Sequence, residues 1–386
     1  YKLIYTGLIL FVYILGRCIP LYGIDVPAYS HATINAEEML MQSIGGDMYR
    51  YSVFAIGMSP FMISNILVQI AMACRDSAAK ARISPGKINK ISVGLTLVIA
   101  TLQAFVRVSQ LRFRGTGDLS LLMRTTVTVQ MVTGVMVILW LSERNAKYGI
   151  GGRTMLIVVN LLDGILSTIS GRSLRNLMIP LTISAAVMFV VLVMENAEKR
   201  IPVQRISIHN IYADKNYMAV KLNPVGVMPV MFSTALFMLP QLLVSLLVSL
   251  FPNHTGILWW QENLSLMKVP GIAVYIICLC LLTVVFSMVL ISPKDITEQF
   301  LKSGDSIVNL HAGRDTRRYL RGVMWRISLL SATVMGGCIC APLIMQLRGD
   351  IDSTLVTFPT SIMMLTGFSC NIYREVCTLW AYDSCK

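Results

Sequence analysis

Residues 45–69 read GGDMYRYSVFAIGMSPFMISNILVQ, and from Val53 onward this stretch approaches the length of apolar helix that crosses a bilayer, about 20 residues. Its inner polar groups, Asn65 and Gln69, carry no charge. Just ahead of it, residues 36–46 (AEEMLMQSIGG) are amphipathic, too short to cross, and end on Gly45-Gly46. Such a segment is either a surface half-helix or a re-entrant element. A re-entrant backbone needs protein or water around it, because lipid satisfies no irregular peptide group, so that second reading implies a cavity.

The same apolar signature recurs along the chain. Spans are expected at 3–19, 53–73, 91–108, 122–141, 154–170, 176–194, 226–250, 270–291, 327–347 and 356–373. The composition agrees: of 386 residues, 55% are hydrophobic and only 14% charged, with a mean hydropathy of +0.66. Soluble domains carry about 25% charged residues. Membrane β-strands would be shorter and alternating, so each span is expected to be a helix. The fold class is all-α polytopic membrane protein.

Orientation follows from Lys and Arg. The loops at 74–90, 142–153, 195–221 and 292–326 hold twenty of the 33 basic residues, and the intervening loops hold seven. Those four loops and both chain ends are therefore expected in the cytoplasm. Most of the net charge of +13 is this asymmetry, which speaks against nucleic acid as a partner and for the lipid surface. Ten spans divide into five and five, and an odd number per half inverts one half relative to the other. The expected division is 1–172 and 173–386. The chain opens at Tyr1, almost inside its first apolar run and without Met, so residues are expected to precede it. Leu3 to Pro20 has no small-residue cleavage site after it and is not read as a cleavable signal.

Two of the basic loops exceed ordinary connections in length. Residues 195–221 alternate polar and β-branched residues as a β-hairpin does, and 292–326 form a second long basic connection. The nine cysteines include CxC pairs, Cys278/Cys280 and Cys338/Cys340, inside apolar runs. They read as buried free thiols. His31, His209, His254 and His311 are far apart, so neither a metal nor a cofactor is expected. No GxSxG, HExxH or paired intramembrane Asp points to an intramembrane hydrolase, and no GxxxxGK[ST] loop to ATP hydrolysis. The protein is not read as an enzyme. A secondary transporter is the principal alternative, since it shares the inverted repeat. Transporters place ionisable groups at the midplane, and here Asp163 is the clearest one, toward the outer half of the fifth span.

Several stretches carry a family resemblance: 45–69, YGIGGRTMLIVV (148–159), EKRIPVQ (198–204), NPVGVMPVMF (223–232), ISPKDITEQFLKSG (291–304) and GRDTRRYLRGVMWRISL (313–329). In order and spacing they resemble the SecY family of protein-conducting channels. The departures from housekeeping SecY resemble the accessory paralogue of Gram-positive bacteria, which exports glycosylated serine-rich adhesins. The resemblance implies two five-helix halves around an hourglass pore in the plasma membrane. It implies a SecA-type motor ATPase, SecE-like and small accessory subunits, and a substrate bearing a signal sequence.

The resemblance also implies sites. A plug falls at 37–48 and includes Met39, Leu40, Met41, Ile44, Gly45 and Gly46. The constriction carries over to Met58, Met62, Val158, Leu162, Met228, Met231 and Met364, where the family mostly has isoleucine. An unbranched, polarisable ring suits a gasket that dewets at rest and moulds around a passing chain. The second and seventh spans form a lateral gate, and Asn65, Gln69, Gln103 and Thr234 are polar groups there and in the neighbouring third span. Asn65 with Gln103 is the expected closing pair. Pro60 and Pro229 interrupt the second and seventh spans as bending points or static kinks. Motor docking is assigned to Lys199, Arg200, Arg205, His311, Arg314, Arg317, Arg318 and Arg321. His311 stands where the family has an arginine, and the four arginines after it fall on one face if the segment is helical.

Overall fold

A computed structural model describes residues 1–23, 52–73, 84–111, 119–169, 174–205, 217–250, 255–264, 268–308, 310–311, 313–349 and 355–384. Each of the ten expected spans contains a helix. These are α1 (Lys2–Arg17), α2 (Ser59–Ala73), α3 (Pro85–Gln110), α4 (Leu119–Tyr148), α5 (Thr154–Ile169), α6 (Leu174–Asn196), α7 (Met228–Leu250), α9 (Val269–Leu290), α11 (Arg314–Arg348) and α12 (Phe358–Ser384). Two shorter helices, α8 (Thr255–Asn263) and α10 (Pro293–Ser303), and three strands, β1 (Glu198–Arg205), β2 (Tyr217–Lys221) and β3 (Asp305–Ile307), complete the described elements. Among the described residues, six helices are long and apolar enough to cross a membrane: α3, α4, α6, α7, α9 and α11. The protein is an all-α polytopic membrane protein. Helices α1, α2 and α5 are shorter, at 16, 15 and 16 residues.

The packing repeats itself. In the first set of five, α1 packs on α4 and α5, α2 on α3, and α4 on both α3 and α5. In the second, α6 packs on α11 and α12, α7 on α9, and α11 on both α9 and α12. Advancing each partner by five spans turns the first list into the second. The two sets meet along α2 and α3 against α7, and along α5 against α12. One buried core runs through both junctions and includes Phe61 and Ile66 of α2, Leu156 of α5, Phe232 of α7 and Phe368 of α12.

Two expected features take a different form. Pro60 and Pro229 are the second residues of α2 and α7, so neither interrupts a helix. The first turn needs no N–H from proline, whose fixed φ starts a helix well. Residues 53–58 are turns, with Gly57 at φ 64. The prolines that do lie inside helices are Pro180, Pro240 and Pro342.

The 292–326 segment is no irregular connection. Ser292 accepts a hydrogen bond from the Asp295 amide at 3.4 Å, Pro293 opens α10, and Gly304 closes it at φ 72. Acid in the first turn and Lys302 in the last complement the helix dipole. β3 follows, and α11 then starts at Arg314. Its 35 residues extend about 50 Å at 1.5 Å per residue, against about 30 Å of hydrocarbon. The first third therefore projects from the bilayer.

That projection carries a small separate core. The sheet order is β2-β1-β3, with Ile201 opposite Met218 and Val203 opposite Ile307, both pairings antiparallel. β1 changes partner at Pro202, where the missing N–H interrupts the ladder anyway. Ile201, Val220 and Ile307 pack on Leu320, Val323, Met324 and Ile327 of α11. The two long basic loops thus form one platform.

Candidate pore, gate and docking platform

Five of the seven expected constriction residues lie in the same buried core: Met58, Met62, Val158, Met231 and Met364. Their exposure runs from 0% at Met364 to 6% at Val158. Met58 comes from the turn just before α2, Met62 from the first turn of α2, Val158 from α5, Met231 from α7 and Met364 from α12. Each half contributes, and these are the elements along which the halves meet. Gly367 permits the approach, because a Cβ there would collide with Val227 just ahead of α7. The other two residues are more open. Met228, first in α7, is 36% exposed, and Leu162 is 43% exposed. Leu162 lines a cavity of about 500 Å³ between α1 and α5, together with Val159, Leu166, Arg17 and Asp163.

Asp163 accepts a 2.6 Å hydrogen bond from the buried Arg17 guanidinium, and Tyr13 donates to Asn160 at 2.7 Å. Both bonds fasten α1 to α5. The ion pair ties Asp163 to an arginine of the neighbouring helix and so gives it a structural role between α1 and α5.

The gate polar groups do not pair as expected. Gln103 is buried and accepts from the Ser59 hydroxyl at 3.1 Å, whereas no hydrogen bond joins it to Asn65. Ser59 stands at the first turn of α2, beside the middle of α3, and its short side chain reaches where Asn65, more than a turn farther along, does not. Ser64 donates to the Ser92 carbonyl at 2.6 Å, again between α2 and α3. Thr234 donates to the Met231 carbonyl of its own helix at 2.7 Å, a local bond that a helical threonine makes readily. Asn65 and Gln69 are half-buried. The hydrogen bonds of Ser59, Ser64 and Thr234 thus stay within the α2–α3 pair or within α7 itself. The expected plug, 37–48, lies outside the described residues.

On the platform, Arg314, Arg317, Arg318 and Arg321 are all exposed, while Thr316, Leu320, Val323 and Met324 are buried on the opposite side of α11. The spacing of three and four residues places the four arginines on one face. Lys199 and Arg200 are exposed on β1. Glu198 hydrogen-bonds Arg200 at 2.9 Å and holds its pKa above the ordinary arginine value. Arg205 ends the same strand. His311 is exposed, and its carbonyl accepts from Thr316 at 2.9 Å, which closes the turn into α11.

Beneath the platform lies a polar cluster that the sequence did not single out. Buried Glu195, at the end of α6, accepts from Asn223 at 3.3 Å and from Arg374 of α12 at 3.3 Å. Arg374 also donates to the Glu195 carbonyl at 2.6 Å, and Ser331 of α11 donates to Asn223 at 3.0 Å. Arg374 and Glu375 fall just past the expected end of the last span, and α12 runs on to Ser384. A consecutive Arg-Glu pair continuing a helix was the available signal.

Comparison with known proteins agrees with this architecture. The SecY family model matches residues 52–373. The accessory Sec system protein translocase subunit SecY2 of Streptococcus agalactiae is 30% identical over 97% of this chain and 92% of its own length. That of Leuconostoc gelidum is 28% identical over 97% and 93%. Among solved structures, a protein-conducting channel superposes with a TM-score of 0.71 at 18% identity, covering 98% of this chain and 91% of that one. Sec61 in the canine ribosome-channel complex gives 0.65 at 17%, with the same coverage. With the family model covering most of the sequence and the packing of five helices repeated in the next five, this chain belongs to the SecY family.

Proposed function

We propose that this chain is the channel subunit of a bacterial protein-export translocon, of the accessory type that its relatives represent. It passes unfolded, signal-bearing polypeptide across the plasma membrane, with both termini and the platform in the cytoplasm. The substrate class is the glycosylated serine-rich adhesin. A SecA-type ATPase docks on the arginine face of α11 and on Lys199, Arg200 and Arg205, and supplies the energy. SecE-like and small accessory subunits complete the assembly. Residues 1–172 and 173–386 are the two halves, residues 37–48 the plug, and α2 with α7 the lateral gate.

The observation that supports this reading is the burial of Met58, Met62, Val158, Met231 and Met364, which come from four regions of the chain, in one apolar core. A gasket of that kind excludes water and ions at rest, and methionine conforms to any side chain in transit. The test uses a background without native cysteines and a secretory polypeptide stalled in transit. Met62→Cys and Met364→Cys should crosslink to the stalled chain, and the lipid-facing Met178→Cys should not. Equal crosslinking at all three, or none at Met62 and Met364 when a stalled intermediate has formed, overturns the assignment.

A further inference from the structure

The platform and the first five helices are joined through two consecutive residues of α12. Arg374 is held by Glu195, which ends α6 directly before β1, through one bond to its carboxylate and one to its carbonyl. Glu375 accepts a 3.0 Å hydrogen bond from the Gly151 amide, in the turn that leads into α5. Neighbours on a helix point about 100° apart, so one residue faces each half. This hydrogen bond crosses between the two sets of five.

Both ends of the link are themselves anchored. Gly151 sits at φ +73, a conformation that favours glycine. Asn145 of α4 donates to the carbonyls of Ile150 and Gly152 at 3.1 and 2.6 Å, and Thr6 of α1 accepts from the Ile150 amide at 2.8 Å. On the platform side, Leu222 donates to the Ala197 carbonyl at 2.9 Å and closes the base of the hairpin over Glu195. Gly226, at φ +70, passes so near the Glu195 carboxylate that a Cβ there would sit 3.1 Å from Oε1.

We propose that Arg374 and Glu375 are positioning residues that form a transmission joint. Displacement of the platform by a docked protein is carried through Glu195 and Arg374 into α12, and through Glu375 into the Gly151 turn of the other half. The proposal rests on the platform being the motor's docking surface. Its test needs neither motor nor substrate, so a failed joint and a failed docking assignment give different results.

The test is amide hydrogen exchange on the whole protein in lipid nanodiscs. Glu375→Ala removes the acceptor and should speed exchange at Gly151 by roughly ten- to a hundredfold, the range set by losing a charged acceptor. Glu375→Gln keeps a carbonyl oxygen and should stay near the parent rate. Coupling between sites is reciprocal, so Glu375→Ala should also speed exchange at Leu222, and Glu195→Gln should speed exchange at Gly151. If each substitution alters only its own end, the two contacts are independent and the joint is refuted. Parent-like exchange at Gly151 in Glu375→Ala refutes the bond itself.

Discussion

Where α2 faces α7, the two sets of helices touch through buried apolar side chains, among them Phe61, Met62, Met231 and Phe232. Where α5 faces α12, the apolar contact is reinforced at one end by the Gly151–Glu375 bond. An interface held by dispersion and shape separates without stranding a donor or acceptor in lipid. An interface with a charge-assisted bond resists separation, because breaking it here leaves the buried Gly151 amide without its acceptor. On the proposed function, the seam along α7 is the one expected to open and the seam along α12 the one expected to act as the hinge. The polar groups of α2 and α3 fit the same logic: Ser59–Gln103 and Ser64–Ser92 bind α2 to α3 inside one half, so the two move together.

The sharpest way to break this contrast is to wet the opening seam. Met62→Asn combined with Met231→Asn buries two amides that cost about 1–3 kcal/mol each where unpaired, and water should enter to satisfy them. Planar-bilayer recordings should show ion conductance at rest, whereas the lipid-facing pair Met178→Asn and Met188→Asn should remain sealed. Equal leakage from both pairs removes the distinction between seam and surface.

A smaller effect concerns the load that the seams must bear. Charge reversal at Arg317 and Arg318 should weaken motor binding by about tenfold or more at moderate salt, where surface charges are partly screened. Membrane insertion and resting conductance should not change. Binding to vesicles by flotation decides the first point, and undiminished binding rejects the docking face. Ser59→Ala sharpens the contrast from the other side. It leaves the buried Gln103 carbonyl without that donor and should cost about 1–3 kcal/mol in stability. Because the bond lies within one half, resting conductance should stay at the parent level. A leaky Ser59→Ala channel would show that the α2–α3 bond helps hold the seam shut.

The smallest expected change is at His311. Arginine offers a permanent charge and a planar five-donor fork that an imidazole lacks. His311→Arg should gain affinity for a housekeeping SecA-type motor by only about two- to fivefold, as an exposed ion pair is worth about 0.2–1 kcal/mol. No gain in a competition assay rejects a selectivity role for this residue.

The ten apolar runs, the basic loops and the hairpin were legible in the sequence because each is a property of neighbouring residues. An uncharged run of sufficient length is driven into lipid whatever surrounds it, and a two-residue alternation makes a strand locally. The start and stop signals of α10 are equally local, yet the segment reads from composition only as a long basic connection. The constriction residues came from the family pattern, since one methionine in an apolar run looks like any other, and burial then gathered five of them in one core. Tertiary structure alone decided which polar groups pair. Gln103 bonded to Ser59 and not to Asn65, Arg17 to Asp163 across 146 residues, and Gly151 to Glu375 across 224. It alone joined β1 to β3 and so made one platform of two loops. The physical reason is that a hydrogen bond depends on distances of about 3 Å and on alignment, and helix packing sets those between residues that composition and periodicity cannot relate.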